Sequence, residues 1–292
     1  MFEGVSVALV TPFKNNQLDE ASLVRLVQFV LDQGVDGLVP TGCTGEAGAL
    51  TLDERKRIWE ICLREAKGRA FVVAGTGTNT TSSTIEVSRA AEQVGVDGCM
   101  LITPYYNKPS QEGVVAHYRA VADAVQRPIM VYNVPGRTGT NILPETVLQL
   151  AEHPRIVAIK EASGSVDQVT EILCGSDITV LSGDDSLTLP MLAAGAKGVV
   201  SVLGHLAGRE IKAMGEAYHA GNVAEAAAIH RRLYPLTRSL FSETNPLPVK
   251  AVLAHLGVLE NELRLPLVPA KEKTTKKVVA ILEKANILTP LG

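Results

Sequence analysis

Eight short apolar runs recur along the 292 residues, and between them lie longer stretches whose apolar positions return every three or four residues. The runs are Val5 to Phe13, Gly37 to Gly42, Phe71 to Gly77, Cys99 to Tyr106, Pro128 to Pro135, Ile156 to Ser163, Thr179 to Asp185 and Gly198 to Gly204. They are rich in branched residues and lack a helical period, as strands buried on both faces do. The intervening stretches, at 21–33, 52–67, 82–94, 112–125, 144–153, 166–173 and 187–194, read as amphipathic helices. Leu23, Leu26, Val27 and Val30, for example, have the spacing that lines one helix face. Boundary residues agree: Asp19 and Ser22 suit a helix start, Gly34 and Gly95 follow helices, and Pro144 and Pro154 bracket another.

Alternating strands and helices imply βαβ units around a parallel sheet. Eight of them, with no phosphate-binding glycine fingerprint after the first strand, predict an α/β fold of the closed (β/α)8 TIM barrel type rather than an open doubly wound sheet. The stretch 207–220 completes the barrel, and 224–240, 248–256 and 272–285 read as helices without strands. The expected organisation is therefore a (β/α)8 barrel catalytic domain over 1–221 and a C-terminal helical extension over 222–292.

Composition narrows the function classes. A chain that is 46% hydrophobic and 20% charged can fill a sizeable core, and a net charge of −3 with no basic run offers no footprint for nucleic acid or an anionic membrane. No apolar run approaches the ~18 residues that span a bilayer, and the N-terminus lacks the basic start of a secretory signal. Cys43, Cys62, Cys99 and Cys174 form no Cys-x-x-Cys pair, and the histidines lack metal-ligand spacing. The expectation is a cytoplasmic protein with small-molecule partners and no metal.

In a barrel the C-terminal ends of the strands converge on one face, where active sites of this fold are built. Those ends carry Gly42-Cys43-Thr44-Gly45-Glu46, Gly75 to Asn79, Thr103-Pro104-Tyr105-Tyr106, Tyr132 to Gly139, Lys160-Glu161 and Ser182 to Asp185. Lys160 stops an apolar run abruptly. Burial there disfavours the ammonium and frees the amine for Schiff-base formation, although a strand-end lysine also snorkels to solvent or pairs with an acid. Tyr132 and Tyr106 suit proton transfer or simple core packing. Arg137 suits a substrate carboxylate or a structural ion pair, and Asp184 and Asp185 a metal or a helix cap. The backbone of Gly42 to Gly45 with the Thr44 hydroxyl suits a carboxylate, so a keto acid is a plausible ligand.

With these motifs in order, namely Tyr105-Tyr106-Asn107-Lys108-Pro109, Tyr132-Asn133-Val134-Pro135-Gly136-Arg137-Thr138-Gly139 and Ile159-Lys160-Glu161, the chain resembles the dihydrodipicolinate synthase family over its whole length. That family lies in the pyruvate-dependent class I aldolase and N-acetylneuraminate lyase superfamily. The resemblance implies condensation of pyruvate with L-aspartate 4-semialdehyde, a step of diaminopimelate and lysine biosynthesis, by a homotetramer built as a dimer of dimers. It implies Lys160 as the Schiff-base lysine, Tyr132 as a proton relay, and Tyr106 as a tyrosine reaching the neighbouring subunit's site. Thr44 matches the group that holds pyruvate's carboxylate, Arg137 the group for the aldehyde's carboxylate, and Gly183 and Val200 backbone positions around the keto acid. No cofactor is required, since the imine is the electron sink.

Two departures stand out. Cys43 replaces a threonine of the relay, which exchanges a hydroxyl for a thiol, a weaker hydrogen-bond partner. In the cleft where some members bind L-lysine, Asn79 and Tyr105 match, but Leu52, Arg55 and Ser83 replace two histidines and a glutamate, so weak or absent inhibition is expected. Two other readings are a related aldolase cleaving 2-keto-3-deoxy sugar acids and a non-catalytic keto-acid-binding barrel.

Overall fold

The computed structural model describes residues 1–285 and residue 287, and the end of the expected 222–292 extension lies outside these. Eight strands alternate with helices: β1 (Gly4–Ala8), α1 (Glu20–Leu31), β2 (Gly37–Val39), α2 (Leu52–Ala66), β3 (Phe71–Gly75), α3 (Thr81–Val94), β4 (Gly98–Ile102) and α4 (Gln111–Ala124). There follow β5 (Ile129–Asn133), α5 (Pro144–Ala151), β6 (Ile156–Glu161), α6 (Val166–Gly175), β7 (Thr179–Ser182), α7 (Thr188–Ala194), β8 (Gly198–Ser201) and α8 (Gly204–His219). Each strand pairs in parallel with its sequence neighbours, and β1 pairs with both β2 and β8, which closes the barrel. Three further helices follow: α9 (Val223–Leu240), α10 (Leu247–His255) and α11 (Glu272–Ala285).

The local signals act as their chemistry requires. The Asp19 carboxylate accepts from the Ser22 backbone N–H at the start of α1, while Ser22 lies inside the helix and its hydroxyl donates to Asp19. Gly95 ends α3 with φ +100°, open to glycine at no steric cost. Thr51 and Glu54 close a capping box on α2.

The strands end earlier than the apolar runs do. The first was expected to reach Phe13 but leaves the ladder after Ala8, and Phe13–Lys14 instead forms a two-stranded hairpin with Gln17–Leu18. Leu9, Val10 and Phe13 are nonetheless buried, in the layer between barrel and helices. Apolar character there marks burial of loop side chains rather than ladder pairing. The helix expected from Ala207 begins at Gly204, with a kink at Ala207 (φ −140°, ψ 34°).

Two apolar layers result. One lies between barrel and helices; the other fills the barrel interior with Val39, Val73, Met100, Met130, Leu181 and Val200 among others. Side chains on a strand alternate between these layers. On β5 and β6, Met130 faces Ala158 in one interior tier, and two residues on, toward the C-terminal ends, Tyr132 is registered against Lys160.

Candidate active site

The alternation that buries Met130 also turns Lys160 inward at the barrel mouth, where only 5% of it is exposed. Its Nζ lies 4.1 Å from the centre of the Tyr132 ring. Burial lowers its pKa to about 8, against an upward pull from Cys43, Asp185 and Asp184, so the free amine is within reach near neutral pH. Space for the side chain comes from Gly183, where a Cβ would stand 3.2 Å from Lys160 Cε and 2.7 Å from Ala162 Cβ.

Tyr132 is buried too, which pushes its phenol well above the ordinary value. Cys43 acts on it in the same direction, while Arg137 opposes. The phenol therefore keeps its proton and can donate it. Next along these strands, Glu161 and Asn133 form a buried polar brace. The Glu161 carboxylate accepts from Asn133 Nδ2 (3.1 and 3.2 Å), Gln168 Nε2 (2.9 Å) and the Ser163 backbone (2.7 Å), and burial still raises its pKa. Such a satisfied network fixes the ends of β5 and β6 and hence the side chains beside it.

Asp184 and Asp185 separate in role. Asp185 accepts from the Ser201 hydroxyl and from the backbones of Val202 and Leu203 (3.0 Å each), stapling the loop after β8. Asp184 is raised by burial and by Asp185 beside it. Arg137 sits in the short helix Pro135–Thr138 that follows β5, and among the described residues it has no carboxylate partner. Its Nη2 donates to the backbone carbonyl of Asn245 at 3.3 Å. An unspent guanidinium fork is suited to a substrate carboxylate.

A cavity of about 410 Å³ is lined by Cys43, Tyr132, Arg137, Tyr105, Arg55 and Arg264 among others, and Lys160 lies against one of its walls, Tyr132, without itself lining it. That volume suits small substrates. Thr44 is buried beside Cys43 in the loop after β2, and Val200 lies in the barrel interior. Tyr106 is not brought to this cluster: it stands 89% exposed on the loop after β4, in a left-handed conformation (φ +76°).

The five cleft residues are divided. Arg55 and Tyr105 line the same cavity as Tyr132, whereas Leu52 lines a separate surface groove with Lys56, Ile85 and Glu86. The Ser83 hydroxyl accepts from Thr80 at the start of α3, and the Asn79 carbonyl accepts from the Asn107 amide at 2.7 Å. Arg55 Nη2 donates to the Ala47 carbonyl at 2.6 Å, Nη1 has no partner among the described residues, and burial lowers its pKa.

Sequence reasoning missed the contribution of the helical extension. Lys250 of α10 is fully buried, and its Nζ donates to Glu46 (2.7 Å) and the Thr11 carbonyl (2.8 Å). Arg264 binds Glu54 and donates its backbone N–H to Glu46, and the Lys250 and Arg264 cations flank the Phe13 ring. Asn245 Nδ2 donates to Thr44 Oγ1 at 2.8 Å. The loop after β2, with Cys43 and Thr44, is thus held from outside the barrel. A lone lysine in the apolar run from Pro248 was the one available signal.

A model of the Dihydrodipicolinate synthetase family matches residues 1–285. A 4-hydroxy-tetrahydrodipicolinate synthase of Geotalea uraniireducens is 50% identical over 290 residues, covering 99% of this chain and all of the relative. The crystal structure of dihydrodipicolinate synthase from Aquifex aeolicus superposes with a TM-score of 0.96 at 42% identity, covering 99% of both chains. The chloride-inhibited dihydrodipicolinate synthase of Acinetobacter baumannii, complexed with pyruvate, gives 0.95 at 37% identity, covering 99% of this chain and 100% of that one.

Proposed function

The chain belongs to the dihydrodipicolinate synthetase family and is a lyase with 4-hydroxy-tetrahydrodipicolinate synthase activity, and from that premise we propose that Lys160 condenses pyruvate with L-aspartate 4-semialdehyde. The observation that carries the assignment is the buried Lys160 amine, lowered to about 8 and set against Tyr132, which lines the cavity.

The amine attacks the ketone carbon of pyruvate while its carboxylate accepts the Thr44 hydroxyl. Proton transfer through Tyr132 and Cys43 removes the ketone oxygen as water and leaves an imine. Loss of a methyl proton gives the enamine, whose carbon adds to the aldehyde of the second substrate, with Arg137 holding that substrate's carboxylate. The substrate's own amine then displaces Lys160 from the imine carbon, closing the six-membered ring and returning the free amine. Gly183 leaves room for the bound keto acid beside Lys160, and the Val200 backbone borders it.

The working assembly in this reading is a homotetramer, a dimer of dimers, in which Tyr106 enters the partner's site. Its support is a large aromatic left exposed in a conformation that costs about 1–3 kcal/mol unless something holds it. Residues 1–221 then form the catalytic barrel, and the described part of the 222–292 extension steadies it through Asn245, Lys250 and Arg264. A cytoplasmic location is consistent with the described residues, where no helix is long and apolar enough to cross a membrane.

Weak or absent inhibition by L-lysine follows from the cleft. Ser83 lacks the carboxylate a ligand ammonium would pair with, and Arg55, which has no carboxylate partner among the described residues, adds a cation beside Tyr105 that would repel a cationic ligand. The condensation rate, run beside cleavage of 2-keto-3-deoxygluconate and N-acetylneuraminate, tests the substrate assignment. Fast condensation with negligible cleavage is expected, and preference for a sugar acid would overturn it.

A further inference from the structure

Thr44 is 4% exposed, and its hydroxyl makes a single hydrogen bond among the described residues, as acceptor from Asn245 Nδ2 at 2.8 Å. A hydroxyl whose acceptor side is engaged by an amide N–H keeps its hydrogen to give away. The partner lies 201 residues further along the chain, between α9 and α10, outside the barrel. The backbone carbonyl of the same residue accepts from Arg137 Nη2 at 3.3 Å. One residue of the extension thus touches both side chains assigned to substrate carboxylates, with its side chain on one and its main chain on the other.

We infer that Asn245 is a positioning and polarity-setting residue for keto-acid binding: its amide N–H fixes Thr44 as a hydrogen-bond donor, so that the site favours a carboxylate. The inference rests on the reading of Thr44 as the group that holds pyruvate's carboxylate. Its physical content is directional. A neutral amide donating into the hydroxyl strengthens the hydroxyl's own donation, because hydrogen bonds in a chain polarise one another. An acceptor in the same place would take the Thr44 hydrogen for itself and leave lone pairs facing the carboxylate. Substrate binding and aldehyde binding also separate: a side-chain substitution at Asn245 alters the Thr44 bond but leaves in place the main-chain carbonyl on Arg137.

The test is steady-state kinetics of Asn245→Ala and Asn245→Asp, alone and combined with Thr44→Val, with thermal melts to exclude unfolded material. Both single variants should raise the KM for pyruvate, Asn245→Asp by about tenfold or more since it reverses the polarity and adds a repelling charge, while kcat and the aldehyde KM stay within about twofold. In the Thr44→Val background the same substitutions at Asn245 should add little. Four results would overturn the inference. The first is an unchanged pyruvate KM in both single variants while Thr44→Val raises it. The second is an equal rise with and without Thr44, which would make Asn245 a purely structural residue. The third is a tolerated Asn245→Asp beside a damaging Asn245→Ala, which would make Asn245 the acceptor. The fourth is a Thr44→Val variant with an unchanged pyruvate KM, which removes the underlying reading of Thr44 and the inference with it.

Discussion

Lys250→Met should unsettle the loop that carries Cys43 and Thr44 more than any single surface change. Lys250 and Glu46 have side chains 0% and 1% exposed, their charged atoms are 2.7 Å apart, and the lysine also donates to the Thr11 carbonyl. Removing the cation leaves a buried carboxylate with one remaining donor among the described residues, the Arg264 backbone N–H at 3.1 Å. Breaking a buried pair from one side costs roughly 3–5 kcal/mol, much of it from the stranded charge. At about 2 °C of Tm per kcal/mol for a chain of this size, the expected fall is about 6–10 °C, read by calorimetry or circular dichroism. The double variant Glu46→Gln with Lys250→Met removes both charges and keeps an acceptor for Arg264, so it should recover part of the loss. A Lys250→Met melt within ~2 °C of the parent, or a double variant worse than the single, would refute the reasoning.

Four further outcomes follow from the site. The pKa of Lys160 falls from its ordinary 10.5 to about 8, so the initial rate of imine formation should climb about tenfold per pH unit up to 8 and level above it, measured by quenched trapping; a flat profile would contradict this. The same shift means that the fold disfavours the ammonium. Stability should therefore rise with pH between about 8 and 10.5, and Lys160→Met should melt higher than the parent at neutral pH. Cys43→Thr restores a hydroxyl beside Tyr132 and should raise turnover if proton relay is limiting, while unchanged turnover would refute a limiting role for the thiol. L-lysine should give no half-inhibition at submillimolar concentration, because the missing carboxylate at Ser83 removes a charge-assisted bond of about 1.5–3 kcal/mol; half-inhibition in that range would contradict the account of the cleft.

The barrel was legible because strands buried on both faces must be apolar throughout, and eight such runs leave few ways to close a sheet. Their ends were not legible. Leu9, Val10 and Phe13 are as buried as the ladder residues before them, and hydrophobicity reports burial, not pairing. Lys160 and Tyr132 could be brought together from the strand period alone, since each is the inward-facing residue one before the end of its strand. Asn245 and Lys250 could not. Their partners lie 201 and 204 residues away, and a connector asparagine carries no periodic signal. Tyr106 illustrates the opposite limit, since a strand-end motif predicted a role for it but a single chain gives its exposed ring nothing to act on.

The most direct test of the central claim is borohydride reduction in the presence of pyruvate, followed by peptide mass mapping of the parent and of Lys160→Met. The expected result is a single adduct, equal to pyruvate less one water plus two hydrogens, on the peptide containing Lys160, and none in the variant. An adduct on another lysine, or none on the parent, would contradict the assignment of Lys160 as the nucleophile.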